Sequence, residues 1–436
     1  MSMDRAWEGY EIEERTPSHP WTAYAFLLAV FYLVMPFDVF HSTRYLDQEA
    51  FTDVSTSIES IEQGSLGRRV GLMALACAAV VWLAKGTRPL RRNGALGTLI
   101  ILFLAWAGVS LVWSQAPALT LRRLVILGTL SLGAIGVARR FSLREVLVFT
   151  FSATLFLLVA GFLAEVAQGT FKPWDPSHRF GGLVNPVYTG INLSLLLVSS
   201  LALRHATERR VFLIVAAIAI PFLLMTRSRV PAASGVVAVL LFGLLTADAR
   251  RRGFWIASAV VAGSLALVIF GDALMEWLAR AALLGRETTS VQTLTGRTPL
   301  WSECLKYFAA KPWLGYGYDS FWAPDHITAI TDATGFPAVD THNAYLEWLL
   351  GLGIPGCALG VSILLLSAIR LAKLHRACDG AEYAFALAAL AIFAINLCSV
   401  AIHLHHLSTF IVLVLIAKLG FDAAADPDAG GEYDDE

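Results

Sequence analysis

Long apolar runs constrain this chain more than any other feature. Blocks of roughly 15 to 25 residues, almost free of charge, alternate with short charged segments along most of its 436 residues. About 20 apolar residues carry a helix across a bilayer core. Inside lipid the backbone amides must be satisfied within the protein, so such runs become helices. Composition agrees: 56% of the residues are hydrophobic and 15% are charged, against about 25% charged in an average soluble protein. The expected fold class is all-α, a polytopic membrane bundle of about twelve transmembrane helices. The runs lie near 21–37, 70–84, 96–113, 124–138, 146–166, 187–203, 211–226, 230–247, 254–272, 353–370, 382–401 and 407–420. Arginines crowd the starts of the fourth and eighth.

Loop charge orients the bundle. The loops after the second, fourth, sixth, eighth and tenth runs are short and basic, with Arg91 and Arg92, Arg139 and Arg140, Arg209 and Arg210, Arg250 to Arg252, and Arg370 with Lys373. The positive-inside rule puts these loops and both termini in the cytoplasm. The chain then reads as a polar cytoplasmic tail (1–20), an integral domain (21–420) with one large periplasmic loop (273–352), and an acidic cytoplasmic tail (421–436). The first tail lacks the basic start and cleavage site of a signal peptide, so the first run is expected to stay as an anchor. A net charge of −1 gives no field for nucleic acid, and five cysteines without a C-x-x-C pair give no disulfide framework.

The large loop holds Trp277, Trp301, Trp313, Trp322 and Trp348, which marks it as ordered and membrane-associated. Thr298 suits an N-cap with Pro299 behind it, and Trp301, Leu305 and Phe308 then share a helix face. Amphipathic helices lying on the outer leaflet are expected.

Four clusters there could carry chemistry. Thr226-Arg227-Ser228-Arg229 sits between two apolar runs. Charges so near hydrocarbon default to a functional reading, and guanidinium forks suit phosphate oxygens; snorkelling to the headgroups is the alternative. Arg297 precedes a helix start, which also favours an anion, or is an ordinary exposed loop arginine. His342 follows Asp340-Thr341, either of which can cap a short helix with His342 in its first turn; Gly351, Gly353 and Pro355 then break the chain. Its imidazole is a candidate general base, or a structural group at a helix start. His403, His405 and His406 do not share a helix face and have no acidic residue nearby, so no metal site is expected. Arg122 and Arg123 mark another outer boundary where lipid phosphate gathers, and the shorter outer loop 168–186 carries Lys172, His178 and Arg179. Trp313, Tyr316, Tyr318 and Trp322 are candidates for stacking on sugars or for anchoring at the interface. There is no nucleotide-binding loop or nucleophile elbow, and an outward-facing site meets no ATP, so its substrate must arrive activated.

Gly296-Arg297-Thr298 with Trp301, Lys311-Pro312-Trp313-Leu314-Gly315-Tyr316-Gly317 with Phe321, and Thr341-His342-Asn343-Ala344-Tyr345-Leu346 with Gly351, Gly353 and Gly356 resemble the signature of the O-antigen ligase / O-antigen polymerase family. Ser228-Arg229 resembles its Ser-Arg-Gly segment, with Val230-Pro231 in place of the glycine, and Arg179, Gly181 and Asn185-Pro186 resemble its outer-loop motif. The resemblance covers about residues 170–370 by motif and the whole chain by topology. It implies a C-type-glycosyltransferase-like helical fold and a metal-independent, cofactor-free transfer of an undecaprenyl-diphosphate-linked glycan. In that scheme Arg229 and Arg297 hold the diphosphate and His342 is the general base. Arg227, Arg179, Asn343, Trp301, Tyr316, Arg122 and Arg123 are the expected substrate contacts, and which of Arg227 and Arg229 faces the cavity stays open. Partners are membrane lipids, a glycan or lipid A–core acceptor, a flippase and a chain-length regulator.

Gly296-Arg297-Thr298-Pro299-Leu300-Trp301 looks most like the exopolysaccharide polymerases of the family, which favours polymerisation of repeat units over ligation to lipid A–core. A twelve-helix transporter would show related halves, which this sequence lacks. Cysteines placed at 297 and 342 in a background without the native thiols should react with an impermeant maleimide from the periplasmic side. Labelling only after the inner membrane is breached would reverse the topology.

Overall fold

Lipid offers no hydrogen bonds to a peptide group, so the apolar runs coil and pair their own amides. The computed structural model describes residues 66–84, 92–175, 177–248, 253, 297–335, 338–378, 380–401 and 406–421. Among them are α1 (Leu66–Ala84), α2 (Gly94–Val109), α3 (Pro117–Arg140), α4 (Leu143–Ala167), α5 (Pro186–Thr207) and α6 (Val211–Met225). Then follow α7 (Arg229–Thr246), α8 (Arg297–Ala310), α9 (Pro324–Thr334), α10 (Ala344–Cys378), α11 (Ala381–Asn396) and α12 (Leu407–Phe421). No strand occurs among the described residues. The first and ninth apolar runs and both tails lie outside these residues. The other ten runs each form a helix, six of them long and apolar enough to cross a membrane. The protein is a polytopic helical membrane protein. In the fourth and eighth runs the arginines lie within the helices: α3 starts at Pro117, ahead of Arg122 and Arg123, and α7 starts at Arg229 itself.

Burial is inverted relative to a soluble domain. The rim helices α2 and α7 bury 22% and 28% of their apolar windows, whereas α5 buries 78% and forms the axis. Val112, Val125, Ile214 and Leu240 point outward, as side chains bathed in lipid do. Inside, small residues bring backbones together. α11 presents Ala384, Ala388 and Ala389 with no exposed surface. Gly190 of α5 sits under Pro231 of α7 so closely that a Cβ there would come within 2.9 Å of the Pro231 Cβ. Pro231 fits because it is in the first turn of α7, where a missing N–H is not needed. Buried polar groups join the same helices: Asn396 Nδ2 donates to Ser234 Oγ at 2.8 Å, and Ser194 Oγ donates to Pro231 O at 2.9 Å.

One end of the bundle is laced by basic side chains. Arg370 donates to Leu419 O at 2.7 Å and to Asn93 O at 3.3 Å, while Lys418 Nζ donates to Ala138 O and Phe141 O at 2.9 Å each. The opposite end carries the loop helices. α8 and α9 enclose a small core of their own, with Leu300, Cys304, Ile327 and Ile330 packed beside Tyr316, Phe321 and Leu350. The face expected for α8 is corrected: the helix opens at Arg297, its fully buried residues are Leu300 and Cys304, and Leu305 is 50% exposed. Tyr316 and Tyr318, candidates for stacking on sugars or for anchoring at the interface, are core residues, at 4% and 8% exposed. All five cysteines are free thiols.

The glycine-rich break predicted ahead of the tenth span is real. Gly353 takes φ 67° and ψ −169° inside α10, a region open in practice only to glycine. The loop Lys311–Gly317 supplies replacement partners. Tyr316 N–H donates to Leu350 O at 2.8 Å and Gly317 N–H to Gly351 O at 2.9 Å, and Ile354 N–H donates to Pro312 O at 2.8 Å. The Trp106 indole donates to Leu352 O at 2.9 Å. A Cβ on Gly353 would run into the Trp313 carbonyl. Gly353→Ala should therefore cost about 1–3 kcal/mol or more, read as a lowered melting temperature of the detergent-solubilised protein against Gly243→Ala, a glycine with open space around it.

Candidate active site

The turn that presents His342 is fixed by side chains on both sides of it. Asn343 Oδ1 accepts from Tyr345 N at 3.1 Å and Leu346 N at 3.2 Å, so Asn343 is the cap of α10. This corrects two expectations. Neither Asp340 nor Thr341 is the cap, and His342 is not in the first helical turn. It stands just before the helix with φ 52°, in the left-handed region. Asn343, expected to touch substrate, is committed to the helix start.

Asp340 Oδ1 accepts from the His342 backbone N–H at 2.7 Å and also meets the ring Nδ1 of His342. Thr341 is gripped at both ends: its N–H donates to Glu347 Oε1 at 2.5 Å, and its carbonyl accepts from the Trp301 indole at 2.8 Å. Glu347 also accepts from the Trp322 indole at 2.9 and 3.1 Å. Trp301, expected to contact substrate, thus ties α8 to the histidine turn and brings Arg297 into its neighbourhood. The His342 side chain remains 38% exposed. Burial lowers the affinity of its imidazole for a proton and the Arg297 charge does the same. The charge and hydrogen bond of Asp340, with Glu347 beyond, outweigh them and leave the His342 pKa above its ordinary value.

The second arginine group forms at the same end of the bundle. α7 is joined to α11 through Ser234 and Asn396, and the end of α11 reaches the histidine turn where Ala344 N–H donates to Leu397 O at 2.8 Å. Arg229 opens α7, and Arg227 precedes it with a left-handed φ of 51°. Arg179, expected to touch substrate, braces this turn: its guanidinium donates to Thr226 O at 3.2 Å and Ser228 Oγ at 3.4 Å. Behind it lies a carboxylate that sequence reasoning missed. Glu165, 4% exposed, accepts from Gly181 N at 2.9 Å and Gly182 N at 2.7 Å, and faces His178 Nε2 at 3.6 Å. Its signal was in plain view, a single acid near the end of an apolar run.

Between α3, the 318–322 segment and the start of α10 is a cavity of about 70 Å³ walled by Arg123, Asp319, Asp340, Glu347, Trp322 and Trp348. Arg123 Nε lies 3.4 Å from Asp319 Oδ2, so this arginine pairs with a protein carboxylate. Arg122 precedes it in the same turn of α3. Tyr316 lies in the loop core, with its hydroxyl donated to Tyr307 O at 3.0 Å, and is not a surface contact. His403 and His405 lie outside the described residues; His406 is buried and stacks on Tyr188 with 3.5 Å between ring centres.

Charge is thus divided. Arg227, Arg229 and Arg297 stand at helix starts, whereas three carboxylates and one arginine line the cavity. Chemically, the first suits an anionic leaving group and the second a hydroxyl-rich ligand between aromatic walls.

Residues 212–361 match the protein-family model described as O-Antigen ligase. That segment contains Arg227, Arg229, Arg297 and His342, and excludes Arg122, Arg123 and Arg179. The chain is also similar to an O-antigen ligase of Pseudomonas aeruginosa, 28% identical over 141 residues, which is 32% of this chain and 30% of that protein. The overlap therefore spans less than a third of the relative's length.

Glu347→Ala should leave the Trp322 indole and the Thr341 amide, 5% and 0% exposed, without their acceptor. At about 1–3 kcal/mol for each unsatisfied donor, the protein should melt at a clearly lower temperature, and Glu347→Gln, which keeps an acceptor oxygen, should lose less.

Proposed function

We propose that the O-antigen ligase domain on residues 212–361 makes this chain a glycosyltransferase that moves a lipid-diphosphate-linked glycan onto an acceptor sugar hydroxyl. The observation that carries the reading is the Trp301–Thr341 hydrogen bond, which joins the helix opening at Arg297 to the turn presenting His342. A phosphate-binding group and a base are thereby held on one small scaffold.

The donor diphosphate lies against Arg297 and Arg229, with Arg227 beside them. His342 Nε2 takes the proton of the acceptor hydroxyl as its oxygen forms a bond to the anomeric carbon. The bond from that carbon to the phosphate oxygen breaks, and its electron pair leaves on the diphosphate. Guanidinium groups fixed in a partly desolvated site neutralise that growing charge without reorganising. Attack opposite the leaving group inverts the anomeric centre. The acceptor enters from the carboxylate-lined cavity, whose excess negative charge turns the diphosphate away. The lacing basic residues are at the opposite end, which by the positive-inside rule supports a site on the periplasmic face of the inner membrane. Undecaprenyl diphosphate fits as the lipid carrier.

Polymerisation of exopolysaccharide or O-antigen repeat units is the reading favoured by the Gly296–Trp301 sequence. A second reading, ligation to lipid A–core, draws on the similarity to the Pseudomonas ligase. Purified protein given the lipid-linked donor with each acceptor in turn separates them by product mass. In that assay His342→Ala should lower turnover by about 10²–10⁴-fold while the protein still accumulates in the membrane. Arg297→Lys should lower it at least about tenfold, since an ammonium lacks the planar fork. Near-normal turnover in both variants would remove the proposed chemistry.

A further inference from the structure

We infer that Asp340 is a positioning residue of this site, holding His342 as its Nδ1–H tautomer and aiming Nε2 at the acceptor hydroxyl. The inference rests on the reading of His342 as the base.

One oxygen of Asp340 takes two donors from the same residue, the His342 backbone N–H and the ring Nδ1. The first bond sets the backbone and the second sets the ring. An ionised carboxylate only accepts, so Nδ1 must carry hydrogen and the lone pair falls to Nε2. The left-handed backbone at His342 is uncommon for a residue with a side chain and persists only where its surroundings over-determine it. Here they do, because Thr341 is held by Glu347 and Trp301 and Asn343 is held by its cap. Asp340 is also a wall of the acidic cavity, so it links the place where a hydroxyl arrives to the nitrogen that would deprotonate it. The charged groups acting on the ring are Asp340, Arg297 and Glu347. Of these, Asp340 both orients the neutral base and stabilises the imidazolium that forms when the proton moves.

Two measurements decide it. The first uses full-length protein labelled with [15N]histidine in lipid nanodiscs, with the His342 resonances assigned by subtracting the His342→Gln spectrum. Above its pKa, His342 should show a protonated Nδ1 and a bare Nε2; the reverse tautomer, or a mixture, overturns the inference whatever any variant does. The second is the pH dependence of glycan transfer by Asp340→Asn. Loss of the carboxylate removes the main attraction for the proton, leaving burial and Arg297 to lower the His342 pKa against Glu347 alone. The acid limb of the kcat profile should therefore move down by about one pH unit. The plateau should fall at least about tenfold. A limb that stays in place, with activity either intact or lost evenly at all pH values, overturns the proposal, since damage to the fold alone would not move it. If Asp340→Asn does not accumulate, the wild-type spectrum decides alone. If the tautomer is as expected but His342→Gln still transfers glycan, the assignment of the base fails and the positioning contact stands.

Discussion

A helix interrupted where it meets the apolar span releases carbonyls that must find other donors, and much of this protein follows from how one such interruption is answered. Gly353 breaks α10, and the amides of Tyr316 and Gly317 take Leu350 O and Gly351 O in its place. That repair welds the loop to the bundle. It fixes the short helical stretch carrying Glu347, and through Glu347 and Thr341 it fixes the histidine turn. The glycines at 315 and 317, with φ 66° and 108°, let the loop backbone come close enough to bond. A Cβ on Gly315 would sit 2.5 Å from Leu350 O. The Lys-Pro-Trp-Leu-Gly-Tyr-Gly segment is thus structural, and the proposed chemistry sits on the elements it braces.

The second organising principle is separation of charge. Arginines gather at helix starts, where the backbone also favours anions, while carboxylates gather around the cavity and histidine turn. Neither group is left alone in a low-dielectric setting. Arg179 braces the 226–228 turn, Arg123 pairs with Asp319, and Glu347 takes hydrogen bonds from Trp322 and Thr341. Buried or half-buried charge costs little when partnered in this way.

Sequence reading succeeded where one physical rule dominates. Run length alone located ten helices, because lipid leaves a long apolar segment few alternatives. The break near Gly353 and the convergence of the 297 and 342 segments were legible from glycine placement and motif resemblance. Details set by competition among neighbours were not. Asp340 and Thr341 were the expected caps of α10, yet Asn343 takes that place. Periodicity proposed Leu305 for the buried face of α8, yet α9 and α10 approach from the side of Leu300 and Cys304. The burial of Tyr316 was not legible either, because the loop's private core leaves no mark in composition. Glu347 followed the histidine motif in the sequence, but its role depends on Trp322, 25 residues away.

The axial helix has a consequence for assembly in the cell. α5 carries Asn192, Ser194, Ser199 and Ser200 on surfaces almost sealed from the outside. Released alone from the translocon into hydrocarbon, it would expose those groups to tails that offer them nothing. The ribosome delivers α4 before α5 and α6 directly after, and both pack against it in the finished fold. Synthesis order thus hands the polar axis its shelter as it emerges, and the order of the helices along the gene becomes part of how this membrane protein is built.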